Sequence, residues 1–210
     1  MGAMGPTGMM PALTRPLTGP ILACVPEMKN PTAELFWKVV GTPGFPELGQ
    51  GPRPGVTALK RLRGQLDEVL AGSGTGEEDR ALLRAVAFLY HDHHDAAHDI
   101  VQDLSDADGS LLHGILHRRE PDYWNAKYWF RRFVAHPAHI ALGRRIPSLV
   151  TGTTGAAVAK EITRPGAFDP FAFVDAVEAA ARRPADDPES LWLRAVQHAE
   201  FEEIVAHLLS

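Results

Sequence analysis

Six of the ten histidines fall between His91 and His117, interleaved with Asp92, Asp95 and Asp99. In a helix of 3.6 residues per turn, His91, His94 and His98 share one face at i, i+3 and i+7, and His113 and His117 share one face at i and i+4. The stretch DLSDADG between the two sets is rich in turn residues, so the sets read as two antiparallel helices joined by a tight turn. Positions equidistant from that turn lie at equal height, and 98 with 113 has the same midpoint as 94 with 117. Two facing rows of imidazoles result, with rungs ~6 Å apart along each helix. Glu120, three residues beyond His117, extends the second row.

Imidazoles and carboxylates facing one another between helices are how bundles hold divalent transition metals, and imidazole suits zinc and iron. The expected ligands are His94, His98, His113 and His117, with Glu120 as a further ligand or the catalytic base. Asp92, Asp95 and Asp99 are placed to orient the imidazoles. Three protein ligands would leave a position for water or substrate. Neither spacing is the HExxH of zinc hydrolases, and DADGS is too short for a calcium loop. Two other readings stay open: a metal-free pocket in which one or two histidines act as acid or base, and a solvated face of His–Asp ion pairs.

The run EPDYWNAKYWFRRF follows at once. A helix from about Tyr123 to Val134 carries more aromatic rings than one stripe can hide, so some pack under loops or line a cavity. Asn125, Tyr128 and Arg131 are the expected contacts to a polar or anionic small molecule. Lys127 and Arg132 read as solvated charges.

The elements that must position these residues follow from periodicity. Helices are expected from Thr32, as N-cap, to Val40, from Val56 to Leu70, and from Glu77 to about Asp103 as one long helix or two abutting ones. Further helices are expected over Ser110–Arg119, His139–Val150 with a kink or end near Pro147, Pro170–Arg182 and Pro188–Leu209. TGTTGAAVAKEI reads as a helix cap, since it lacks the lysine of a phosphate-binding loop. Nothing alternates strictly over more than a few residues. The class is all-α: a single-domain multi-helix bundle over 32–210, preceded by a Gly/Pro-rich arm over 1–31 that Leu13, Ile21, Leu22 and Val25 can anchor.

Composition narrows the function. The 210 residues are 45% apolar, enough for a sizeable core. A net charge of −5 supplies no basic stripe for a phosphate backbone, so nucleic acid is not an expected partner. No apolar run reaches the ~20 residues of a membrane span, and no secretory signal opens the chain, so a cytoplasmic protein is expected. The one cysteine, Cys24, rules out an internal disulfide framework and a cysteine-based zinc cluster.

DGSLLHGILHRREPDYWNAKYWFRRFVAHP resembles a segment shared by hypothetical proteins of bacteria and fungi, with an HRREPDYxNAKYWFR-type signature after an Asp- and His-rich helix. The resemblance extends through DPFAFVDAVEAA to the tail helix, and that family carries no assigned reaction. It implies that His98, His113, His117, Arg118, Glu120, Asp122, Asn125, Tyr128 and Trp129 form one signature around one site. This chain departs from the pattern at Ala135, where such signatures carry glycine before the final HP. Two functions therefore stand side by side. One is a metal-dependent enzyme acting on a small molecule at a His/carboxylate site between the two central helices. The other is a non-enzymatic module that binds a small molecule or a partner helix through the aromatic face, its histidines structural.

Overall fold

The computed structural model describes residues 30–51, 53–150, 153–165, 167–184 and 186–210. The expected arm, with Cys24 and its apolar anchors, lies outside the described residues apart from Asn30 and Pro31. So does the start of TGTTGAAVAKEI. The described chain is all-α: α1 (Pro31–Val40), α2 (Leu59–Ala71), α3 (Glu77–Tyr90), α4 (His94–Val101), α5 (Ala107–Arg119), α6 (Tyr123–Phe130), α7 (Pro137–Leu149), α8 (Ala156–Glu161), α9 (Pro170–Ala180) and α10 (Pro188–Leu208). A two-stranded antiparallel hairpin, β1 (Thr163–Arg164) and β2 (Ala167–Phe168), pairs Thr163 with Phe168.

Local chemistry sets the boundaries. Asn30, not Thr32, caps α1: its Oδ1 accepts from the Thr32 amide at 2.8 Å, and Pro31 supplies a preset φ at the first helical position. His136 caps α7 through Nδ1, which accepts from the Ala138 amide at 3.2 Å, so that helix starts at Pro137 rather than His139. The stretch from Glu77 to Val101 is two helices. The break falls at Asp92, whose φ of +62° is a left-handed conformation that Asp tolerates better than most residues. The α2 helix begins at Leu59 rather than Val56.

Two apolar clusters form the interior. The larger joins α1 to α6 with the second half of α10, through residues such as Phe36, Leu66, Leu83, Leu112, Leu116 and Phe201. The smaller joins α7 to α9 and β2 with the first half of α10, through Leu142, Ile146, Phe168, Phe173 and Trp192. Central to the larger cluster is α5, buried at every residue from Gly109 to Arg119. The Gly/Pro-rich loop before α2 is held down by polar bonds: its Glu47 and Gly49 carbonyls accept from Arg119, and Gln197 donates to Glu47 at 2.9 Å.

Candidate metal centre

The chain folds α4 back on α5 through a tight turn. Asp106 caps α5, its carboxylate accepting from the Gly109 amide at 2.8 Å. Any Cβ on Gly109 would come within 2.4 Å of the Leu104 Cβ, so the close turn requires glycine there. On the other side, Gly114 lets α6 approach α5: an added Cβ would meet the buried Phe130 ring at 2.5 Å. These two glycines bring α4, α5 and the aromatic helix α6 to one place.

There His98, His113 and His117 converge, each offering one ring nitrogen, with the three nitrogens within 4.8 Å of one another. The rings of His113 and His117 stack at 4.8 Å, and His98 stands edge-on to His113 at 4.9 Å. Zn–N bonds of ~2.0–2.1 Å in a tetrahedral site place ligand nitrogens ~3.3 Å apart, so small side-chain rotations would close this set on an ion. His113 and His117 are buried, and His98 is half-buried toward the surface.

The protonation states suit a metal. Burial, reinforced by its neighbours His117 and His98, holds His113 at about 4. Burial also lowers His117, against the raising effect of Glu120. Both are therefore neutral near pH 7 and offer lone pairs. His117 Nδ1 lies 3.0 Å from Glu120 Oε2 and donates to it, which leaves Nε2 unprotonated; Asn125 Nδ2 approaches that nitrogen at 3.1 Å. A carboxylate on the far nitrogen of a ligating histidine is the usual orienting arrangement. His113 lies flat on Trp129 at 3.9 Å, and its buried Nδ1 has no hydrogen-bond partner among the described residues.

Some of the expected site residues stand elsewhere. His94 is buried but outside the triad, in the neighbourhood of Arg119 and Asp92, with both ring nitrogens unpartnered among the described residues. Asp92 does not orient an imidazole: it lies between Arg119, at 2.5 Å, and Arg53, at 3.2 Å. Tyr128 is exposed, its ring 5.6 Å from Trp129 and so one aromatic step from His113. Arg131 lies over Phe171 at 5.9 Å, by a different cavity. Lys127 pairs with Asp175. His91 and His93 grip Thr57: the Thr57 amide donates to His91 Nδ1 at 2.9 Å and His93 Nε2 donates to its carbonyl at 2.7 Å.

Three polar assemblies went unread in the sequence. Arg118 donates to both oxygens of Glu200, at 3.2 and 2.5 Å, with both side chains fully buried. Arg119 joins Asp92 and the Leu89 carbonyl. Asp108 accepts from His136 at 2.8 Å and His207 at 3.1 Å, and these three also lie close enough to share an ion. Because His136 Nδ1 accepts from Ala138, its Nε2 carries the proton and donates, so this trio is closed by its own hydrogen bonds, tying α5, α7 and α10. The i, i+3 spacing of His136 and His139 was the available signal; their partners, Asp108 on α5 and Glu200 on α10, lie 28 and 61 residues away.

The chain matches no protein-family model, no curated protein and no solved structure. Among the described residues no helix is long and apolar enough to cross a membrane.

Proposed function

We propose that this protein is a metal-dependent enzyme acting on a small molecule, with a divalent transition ion, zinc or iron, on His98, His113 and His117. The carrying observation is the convergence of three imidazole nitrogens within 4.8 Å from two helices, with a carboxylate behind one of them. Such an ion, when bound with an open position, supplies Lewis acidity and a water of lowered pKa. Glu120 accepts the proton of His117 Nδ1 and so leaves the lone pair on Nε2, from which the Asn125 amide would swing aside to admit an ion. Its side chain is 26% exposed, within reach of a proton at the mouth. Asn125 donates into the same space, and the exposed faces of Tyr128 and Trp124 offer planar surfaces beside it. His94 and Arg131 are left out of the site.

Elemental analysis of protein purified without added metal tests this, repeated on His98→Ala and His117→Ala with circular dichroism as fold control. Near-stoichiometric metal in the parent, lost from both folded variants, is expected. No metal, together with no thermal shift on adding zinc, iron, manganese, copper or nickel, would overturn the reading.

A further inference from the structure

A second site lies apart from the three histidines. A cavity of about 250 Å³ opens between the α6–α7 corner, the β hairpin and the start of α9. Four phenylalanines line it, Phe130, Phe133, Phe168 and Phe171, with Asp169 and Arg164 on the hairpin side. Set among these rings is His139, 3% exposed, edge-on to Phe168 at 4.9 Å and tilted against Phe133 and Phe130 at 5.9 and 6.0 Å.

The imidazole is the end of a buried chain of charge. His139 Nε2 lies 3.2 Å from Glu200 Oε1, and Glu200 is held by Arg118. Arg118 is closed off in turn by Gln197 at 3.4 Å and by the face of Phe173 at 4.6 Å. Burial lowers His139 despite Glu200, so the ring is neutral, and its single proton sits on Nε2, donated to the carboxylate. Nδ1 is therefore a lone pair. No hydrogen bond from a described residue reaches it, and the ring borders the cavity. At the arginine end both terminal nitrogens are engaged, while the imidazole end is open.

We propose that this cavity binds a one-ring aromatic alcohol of the phenol class, its ring among the phenylalanines and its hydroxyl donating to His139 Nδ1. Size fits: an apolar cavity of ~150 Å³ holds benzene, and ~250 Å³ holds one substituted ring. Chemistry fits too, since an acceptor in an aromatic box selects a donor and works against a carboxylate. Arg164 at the rim does not change that, because it is largely exposed and already paired with Asp169 at 2.5 Å. The inference is independent of the metal centre, none of whose ligands line this cavity.

The test uses the full chain with phenol, anisole and cyclohexanol as probes, followed by NMR titration. Saturable phenol binding is expected, with shifts confined to the cavity phenylalanines and the His139 ring. Phenol should bind roughly tenfold more tightly than anisole, which lacks the donor, in keeping with one hydrogen bond. Cyclohexanol, lacking the ring, should be weaker than phenol. Phe171→Trp, which narrows the cavity and leaves the Arg118–Glu200–His139 chain in place, should abolish binding. His139→Leu should erase the preference for phenol over anisole. Equal affinity for phenol and anisole, no saturation at millimolar phenol, or binding unchanged by Phe171→Trp would each overturn the proposal, the first and last needing no His139 variant.

Discussion

Replacing Glu200 by Gln tests a fully buried ion pair. The side chains of Arg118 and Glu200 are both 0% exposed, at 2.5 Å. With the carboxylate gone, Arg118 keeps Gln197 and the face of Phe173 but no counterion. Stranding one partner of a buried pair costs ~3–5 kcal/mol. A second route gives a similar figure. Burial pushes the Glu200 carboxyl up, yet Arg118 and the His139 hydrogen bond outweigh it and bring it from 4.5 down to about 2. At ~1.36 kcal/mol per pKa unit, that fall corresponds to roughly 3 kcal/mol. For a chain of this length the melting temperature should drop by about 6–20 °C. Urea denaturation of parent and Glu200→Gln at pH 7 measures it. The pH dependence carries the sign: a carboxyl depressed on folding contributes fully above its unfolded pKa of about 4.5 and loses that contribution as pH falls toward 2. The gap between parent and variant should therefore be whole at pH 7 and shrink below pH 4.5. A loss under ~0.5 kcal/mol at pH 7, or a gap that does not shrink in acid, would refute the pair as described.

Glu120→Gln, which keeps the shape but weakens the hold on His117 Nδ1, should lower metal affinity about 10- to 100-fold with little loss of stability, read by competition against a chromophoric chelator. Asp92→Asn keeps a residue that tolerates the +62° φ but removes the charge between Arg119 and Arg53; a cost of roughly 3–5 kcal/mol in urea melts is expected, and a near-neutral result would mean that water screens the two guanidiniums. Burial holds His91, His94 and His113 each at about 4. Histidines kept neutral by folding stabilise fully above their unfolded pKa of ~6.5 and lose that contribution as pH falls toward 4. The metal-free protein should thus lose several kcal/mol between pH 7 and 5 in denaturant titrations, and a flat profile there would show the imidazoles to be solvated.

What the sequence made legible was periodic. The helical class, most of the helices and the meeting of His98 with His113 and His117 follow from spacings of three and four and from a midpoint near residue 105. His94 obeyed the same spacing and shares α4 with His98, yet it opens that helix one turn away from the cluster, beside Arg119 and Asp92. The break at Asp92 is fixed by Arg119 and Arg53, far along the chain. Thr57, an unremarkable loop residue, consumes two of the six clustered histidines. Arg118 is grouped with the site only through the resemblance, and nothing local marks Glu200 as its partner. Arg131 was drawn to the site by its neighbours in sequence, but one residue of helix rotates a side chain by ~100°, enough to send it to Phe171 instead.

The same rotation explains why His117, Arg118 and Arg119 are consecutive. They leave α5 in three directions: His117 to the histidine cluster, Arg118 to Glu200 on α10, Arg119 to Asp92 and the end of α3. Apolar packing around α5 specifies volume more strongly than register, since volume-conserving swaps in a core usually cost under ~1.5 kcal/mol. A two-oxygen guanidinium–carboxylate contact fixes direction as well. The height at which His113 and His117 meet His98 is therefore set from outside the site. The double replacement Arg118→Met with Glu200→Leu separates register from stability, because it removes both buried charges and should restore part of what Glu200→Gln loses, the remainder being the His139 Nε2–H left without its acceptor. Metal affinity should nevertheless stay about tenfold below the parent, as for other supporting residues of a metal site. If the double variant regains that part and binds metal with parental affinity, the register of α5 comes from apolar packing, and the arginines are spectators to the centre.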